Sequence, residues 1–245
     1  MEPHLSSNGE LLFFNNSNHP DSNTQLLFAR RTSTLTFQFA GEVVGANTTS
    51  LEGTPSIDEN ERLYFISTRS YFTTLATVYS AAFSEGTATD VNLVDGTSRM
   101  ILGELQFDFA ISFDGTVGVV SDGLFTGNPF PAASDLAWLK RTGTAFLRTE
   151  TDQALLQALN TDALEYAACL SADGLELYFT RYTEADGFGI FRSERVSTNA
   201  NFLTPRRVSG IEGLVEAPCL SADGKQLYFH REAGGLYQLW VCTRQ

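Results

Sequence analysis

The chain has 245 residues, 42% of them hydrophobic and 18% charged, with a formal net charge of -13. One all-β domain fits that length, and no apolar run is long enough to span a bilayer, so membrane insertion is not expected. That net charge, with lysine only at Lys140 and Lys225, argues against a nucleic-acid partner, whose phosphates are held by clustered Lys and Arg.

In chain order, the first unit opens with Leu5-Ser6-Ser7-Asn8-Gly9-Glu10-Leu11-Leu12-Phe13-Phe14: an apolar strand, an Asn-Gly turn that tolerates positive φ, and an aromatic-rich strand. A third β-like stretch covers residues 25–29 and a weaker fourth covers 42–44. The second unit repeats this at 56–65, 77–79 and 91–94. The third has 111–120 and 136–139, followed by Ala154-Leu155-Leu156. That last stretch reads as a fourth strand or, with 151–159 rich in Ala, Leu and Gln, equally as a short helix. The fourth unit has 170–179, 189–191 and 207–208. The fifth has 220–229 and 238–241 and then ends.

Five copies in phase are a repeat architecture. With Ser6, Ile57, Ser112, Ser171 and Ser221 as equivalent points, the units recur every 50 to 59 residues, enough for a four-stranded blade with long loops. A blade has two apolar faces and buries them only by stacking on neighbours, and a ring lets every blade do so. The expectation is all-β: residues 1–245 as a single five-bladed β-propeller of antiparallel four-stranded blades, the last short of its outer strand. A β-sandwich would explain strands and turns but not five copies in register.

The segment Pro-x-Leu-Ser-Ala-Asp-Gly-x-x-Leu-Tyr-Phe at 218–229 resembles the PD40 (WD40-like, TolB-type) propeller repeat. The likeness runs along the whole chain. It is weakest in the third unit, where Gly118-Val119-Val120 replaces Leu-Tyr-Phe. It implies that the Leu-Ser-Ala-Asp-Gly strand is innermost and lines a central channel. It implies no reaction, because such propellers serve as binding platforms and as gating lids on peptidases, and function has to come from a site.

One patterned set of ionisable groups precedes the inner strands: Glu2, Glu52, Asp108, Glu165 and Glu216, with His4 beside the first. In a closed ring they would crowd one mouth of the channel and could hold Ca²⁺, sugar hydroxyls or a basic side chain; the plainer reading pairs them with backbone donors or water. No other cofactor is indicated. His4, His19 and His230 lack metal spacing, and no nucleophile elbow is present. Cys169 and Cys219 share one place in adjacent units and read as small buried thiols rather than a disulfide. Tyr71, Phe72, Phe125, Phe130, Tyr182 and Phe188 fall outside the repeat pattern, in loops where some could form a binding rim.

These features point to a monomeric, non-catalytic binding or scaffold module that recognises a protein, peptide or glycan at one mouth. The rivals are a glycosidase-type hydrolase working from the acidic mouth, which needs two carboxyls at a set separation, and a structural module of a larger exported protein. Scarce lysine with abundant Ser, Thr and Asn suits an exported, periplasmic or secreted chain, with a cytoplasmic one as the alternative.

Overall fold

The computed structural model describes residues 1–19, 23–128 and 130–244. Its strands form successive antiparallel meanders. The first is β1 (His4–Leu5), β2 (Leu11–Asn15), β3 (Leu26–Ser33) and β4 (Thr36–Glu42). The second is β5 (Glu52–Ile57), β6 (Arg62–Ser67), β7 (Val78–Ser84) and β8 (Thr87–Leu93). The third is β9 (Glu104–Ile111), β10 (Val117–Leu124), β11 (Ala133–Thr142) and β12 (Ala145–Leu147). The fourth is β13 (Leu164–Leu170), β14 (Glu176–Thr183), β15 (Gly187–Glu194) and β16 (Arg206–Arg207). One parallel residue pair, Ser134 with Leu164, links these two into a single larger sheet. The last meander has three strands: β17 (Val215–Leu220), β18 (Gln226–Ala233) and β19 (Leu236–Thr243).

Each meander begins with a turn of four or five residues. In β13–β14 the Ser171 hydroxyl accepts the Glu176 N–H at 2.8 Å and Asp173 accepts the Leu175 N–H at 3.0 Å. Gly174 has φ +67, a value an L side chain rarely adopts. The same Ser-Asp-Gly pattern closes β17–β18 through Ser221 and Asp223. In β5–β6 the turn is one residue shorter. There Asp58, not Ile57, holds the serine position, accepting the Arg62 N–H at 3.0 Å, and Ile57 pairs with Leu63 as Leu170 pairs with Leu177.

The core lies in the seams between meanders. Phe13, Phe28, Leu63, Phe65 and Phe83 fill the first seam. Tyr64, Phe109, Leu139 and Phe146 fill the second, and Trp138, Leu156, Phe179 and Phe202 the third. Cys169, Tyr178, Cys219, Tyr228, Leu5 and Leu12 form one cluster that runs from the fourth meander through the last to the first. At roughly 1.5–3 kcal/mol per fully buried large apolar side chain, these seams supply the main favourable term. The third unit breaks the Leu-Tyr-Phe pattern for a steric reason: a Cβ on Gly118 would stand 2.6 Å from the Phe109 ring and 3.2 Å from Phe146.

Two expectations change. The outer strand of the third meander is β12, which precedes residues 154–156; the latter form a 3-10 turn after the short helix α1 (Glu150–Gln153), capped by Thr149. The outer strand of the first meander, β4, lies mostly before the expected 42–44. The innermost strands contact one another in sequence, β1 with β5, β5 with β9, β9 with β13, β13 with β17, and β17 with β1. No described helix is long and apolar enough to cross a membrane.

Candidate functional site

Four of the five innermost segments carry a residue in the left-handed region at one equivalent place: Glu2 (φ 51), Thr54 (φ 49), Ala167 (φ 52) and Ala217 (φ 54). The conformation costs about 1–2 kcal/mol for a non-glycine residue, so something must hold it. The hold is a hydrogen bond across the seam. Ala167 N–H donates to Ser121 Oγ at 3.2 Å, Ala217 N–H to Thr180 Oγ1 at 3.0 Å, and Glu2 N–H to His230 Nδ1 at 3.0 Å. Ser121, Thr180 and His230 occupy matching places on the second strands. Thr54 N–H donates instead to Glu2 Oε2 at 3.1 Å. The fifth member of the set is Asp108, without the left-handed turn.

These bulges aim side chains into a narrow central channel of about 30 Å³ lined by Glu2, His4, Thr54 and Asp108 among others. That volume holds a water or two and no more. Above it opens a cavity of about 1340 Å³ that shares Glu2 and Thr54 with the channel and adds Tyr166, Glu216, Phe107, Phe125, Phe130, Tyr182 and Phe188. Four carboxylates line it, Glu2, Asp162, Glu184 and Glu216, and no lysine or arginine does among the described residues.

The floor is ordered by His230. Its Nδ1 accepts from Glu2 N–H, which leaves the ring proton on Nε2, where it donates to Glu216 Oε2 at 2.9 Å. Tyr166 O–H donates to the other Glu216 oxygen, and both burial and that carboxylate push the Tyr166 phenol well above its usual range. Glu2 accepts from Asn18 Nδ2 at 2.8 Å as well as from Thr54. Burial raises its pKa, and the nearby Glu216 adds to the rise while His230 opposes it. Asp108, 6% exposed, has no hydrogen-bond or ion-pair partner among the described residues. Burial first, then the Glu2 charge, pushes its carboxyl well above 3.8. The Thr54 hydroxyl is likewise buried without a partner.

Of the acids named from the sequence, Glu2, Asp108 and Glu216 meet at this floor. Glu52 and Glu165 do not. Both are fully buried in seams, each bound by a threonine four residues earlier and by an arginine. Glu52 takes Thr48 N–H at 3.0 Å, Thr48 Oγ1 at 2.6 Å and Arg69 at 3.2 Å; Glu165 takes Thr161 N–H at 3.1 Å, Thr161 Oγ1 at 2.7 Å and Arg181 at 2.7 Å. His4 borders the channel 3.4 Å from the Ile57 carbonyl, and burial lowers its pKa to about 4. Cys169 and Cys219 are free thiols whose sulfurs accept N–H bonds from Leu220 and Leu5, one seam further round. No group of three or more His, Cys, Asp or Glu among the described residues has metal-holding geometry.

No protein-family model matches the sequence, and no curated protein does. Solved structures do match in fold. The BT0996 RGII complex superposes with a TM-score of 0.66 at 9% identity, over 99% of this chain and 86% of that one. The endo-arabinase from Bacteroides thetaiotaomicron VPI-5482 gives 0.62 at 10% identity, over 100% and 93%. TolB from Acinetobacter baumannii gives 0.52 at 13% identity, over 99% of this chain, which spans 51% of that one. The fold is a β-propeller. Within this propeller, Thr54, Phe107, Tyr166 and His230 are site residues that the sequence did not single out. His230 was visible as the polar member of a second-strand position held by Ser121 and Thr180, and only the repeat alignment could have shown it.

Proposed function

We propose that the chain is a five-bladed PD40-type propeller that acts, as a monomer, as a binding module for a protein, peptide or glycan at the mouth carrying the large cavity. The observation that supports this most is the cavity itself. It has aromatic walls and a floor of converging carboxyls, and it stands over a channel too narrow to continue it. The walls are organised: Phe107 packs against Phe125 and Tyr166 at 5.7 Å between centroids, and Tyr182 against Phe188 at 4.6 Å. Contact of the inner strands from β17 back to β1 supports five blades closing on themselves, the last with three strands. The composition supports an exported chain.

Peptide and oligosaccharide arrays probed with the wild type and with Phe107→Ala test the reading. Binding that falls about tenfold in the variant is expected, since one aromatic contact face contributes about 1.5 kcal/mol. Signal that survives Phe107→Ala undiminished, or its absence from both arrays, overturns it. The hydrolase alternative is favoured by one observation, an Asp108 carboxyl that burial and then the Glu2 charge push well above its ordinary range, and opposed by the width of the channel where Asp108 sits. Release of nitrophenol from aryl glycosides, lost in Asp108→Asn, would establish it.

A further inference from the structure

We propose that the cavity receives a basic side chain, the ammonium or guanidinium of a lysine or arginine projecting from a partner polypeptide, seated on Glu2 and Glu216 above Thr54 and Asp108. This rests on the binding reading above and narrows it to one ligand class.

Three independent features carry it. The first is charge. Four carboxylates line the cavity and no lysine or arginine does among the described residues, and arginines of the adjoining strands are engaged elsewhere: Arg69 by Glu52, Arg181 by Glu165, Arg99 and Arg148 by Glu104 and Asp122, and Arg231 over the Trp240 ring. A converging acidic concavity with low-dielectric walls concentrates cations. The second is unsatisfied hydrogen bonding. The Thr54 hydroxyl, on a residue 8% exposed, borders both the channel and the cavity and is buried without a partner among the described residues, while Asp108 lines the channel beneath. Buried polar groups are ordinarily paired, so a site with an orphaned hydroxyl in its wall is missing a partner. Glu2 and Glu216 each accept two hydrogen bonds and retain lone pairs, and a multi-donor cation supplies what they and Thr54 lack.

The third feature concerns what stands behind the charge. The walls of Phe107, Tyr166, Tyr182 and Phe188 suit an alkyl stem and the face of a cation. Phe130, in the lining, is 65% exposed, and outside the lining Leu102 and Phe72 are exposed apolar side chains at 76% and 90%. Gly103, next to Leu102, joins their segments to the wall, its N–H donating to Tyr71 Oη and its carbonyl accepting from Phe125 N–H. An apolar collar of this kind fits a folded or extended polypeptide around the inserted residue, and a free small cation would leave it bare. A bound metal ion is the weaker candidate, because no three ligating groups among the described residues have metal-holding geometry.

The test uses degenerate hexapeptide pools whose central residue is fixed as arginine, lysine, citrulline or glutamine, titrated against the full chain by fluorescence anisotropy at low and physiological salt. The arginine or lysine pool is expected to bind about tenfold tighter than its neutral counterparts, with a preference that shrinks in salt, is lost in Glu2→Gln and is reduced in Thr54→Val. Thermal unfolding of both variants confirms that they are folded, and the salt dependence of the wild type reads the charge without any variant. Equal binding of all four pools, lowered together by Phe107→Ala, overturns the proposal and leaves the binding reading standing. So does binding of neutral oligosaccharides with no peptide bound. If neither peptide pools nor oligosaccharides bind, both readings fall.

Discussion

Glu165 and Glu216 are carboxylates on inner strands of neighbouring meanders, the first fully buried and the second 14% exposed, and they have opposite surroundings. Glu165 pairs in the ladder with Arg181 and is closed into a seam with that guanidinium and Thr161. Glu216 sits one register position along, where β13 has Tyr166, and opens onto the cavity. Successive side chains on a strand point to opposite faces, so a shift of one residue decides between a structural clamp and a ligand-facing acid. Burial alone says nothing about role. What separates Glu52 and Glu165 from Glu2 and Asp108 is whether an arginine is ion-paired with the carboxylate.

The largest effect that would sharpen this contrast is on stability. Glu165→Ala leaves the Arg181 guanidinium, 15% exposed, without its partner, and should destabilise the fold by about 3–5 kcal/mol in urea unfolding. A loss under about 1 kcal/mol would place Glu165 with the floor acids instead.

Asp108→Asn should go the other way, stabilising by about 1 kcal/mol at neutral pH, because it removes an ionisable group that the fold holds in an unfavourable site. The pH dependence fixes the sign. Its folded pKa lies above the ordinary 3.8, so over that interval the folded state binds the proton that the unfolded chain has released. The wild type therefore loses stability relative to the variant as pH rises from about 3.8 toward the folded pKa. Melting temperatures of the two proteins across that range check it, and parallel curves would refute the assignment.

Glu176 is an intermediate case on the outer side of β14. Arg192 and then Arg244 bind it and lower its pKa to about 2. Here the folded value is depressed, so the stabilisation is present above the ordinary 4.5 and is lost as pH falls toward about 2. Because Arg244 is half exposed, screening reduces the benefit, and Glu176→Gln should cost about 0.5 kcal/mol at neutral pH and nothing at the acid end. Denaturant midpoints at the two pH values measure it.

The smallest effect belongs to Thr54→Val. The hydroxyl has no partner, so its removal should change stability by less than about 0.5 kcal/mol while still reducing cation preference at the cavity. A substantial destabilisation would show that the hydroxyl is paired after all and belongs with the clamps.

Much of the architecture could be read from one dimension. The Ser-x-Asp-Gly turns, the aromatic second strands and the five recurrences follow from local turn chemistry and from period-two patterning, and the observed meanders begin where those signals place them. The aromatic residues outside the period were also informative: Phe125, Phe130, Tyr182 and Phe188 all line the cavity. The missed outer strand of the third meander reflects weak local signal, since Ala145–Leu147 is three residues long and the helix after it has stronger propensity.

The site was only partly legible, for a different reason. Glu2, Glu52, Asp108, Glu165 and Glu216 look alike as a list of acids preceding strands, but Glu2 itself is left-handed, Glu52, Glu165 and Glu216 lie one or two residues before a left-handed residue, and Asp108 has none. The bulges at Glu2, Ala167 and Ala217 are held by an acceptor on the neighbouring meander. Those acceptors, His230 for Glu2 and Thr180 for Ala217, are up to 228 residues away in the chain. Sequence alone determined the repeat, because turns and strands depend on near neighbours. Only the tertiary structure decided which carboxylates face a guanidinium and which face open space, because that depends on how one meander packs against the next.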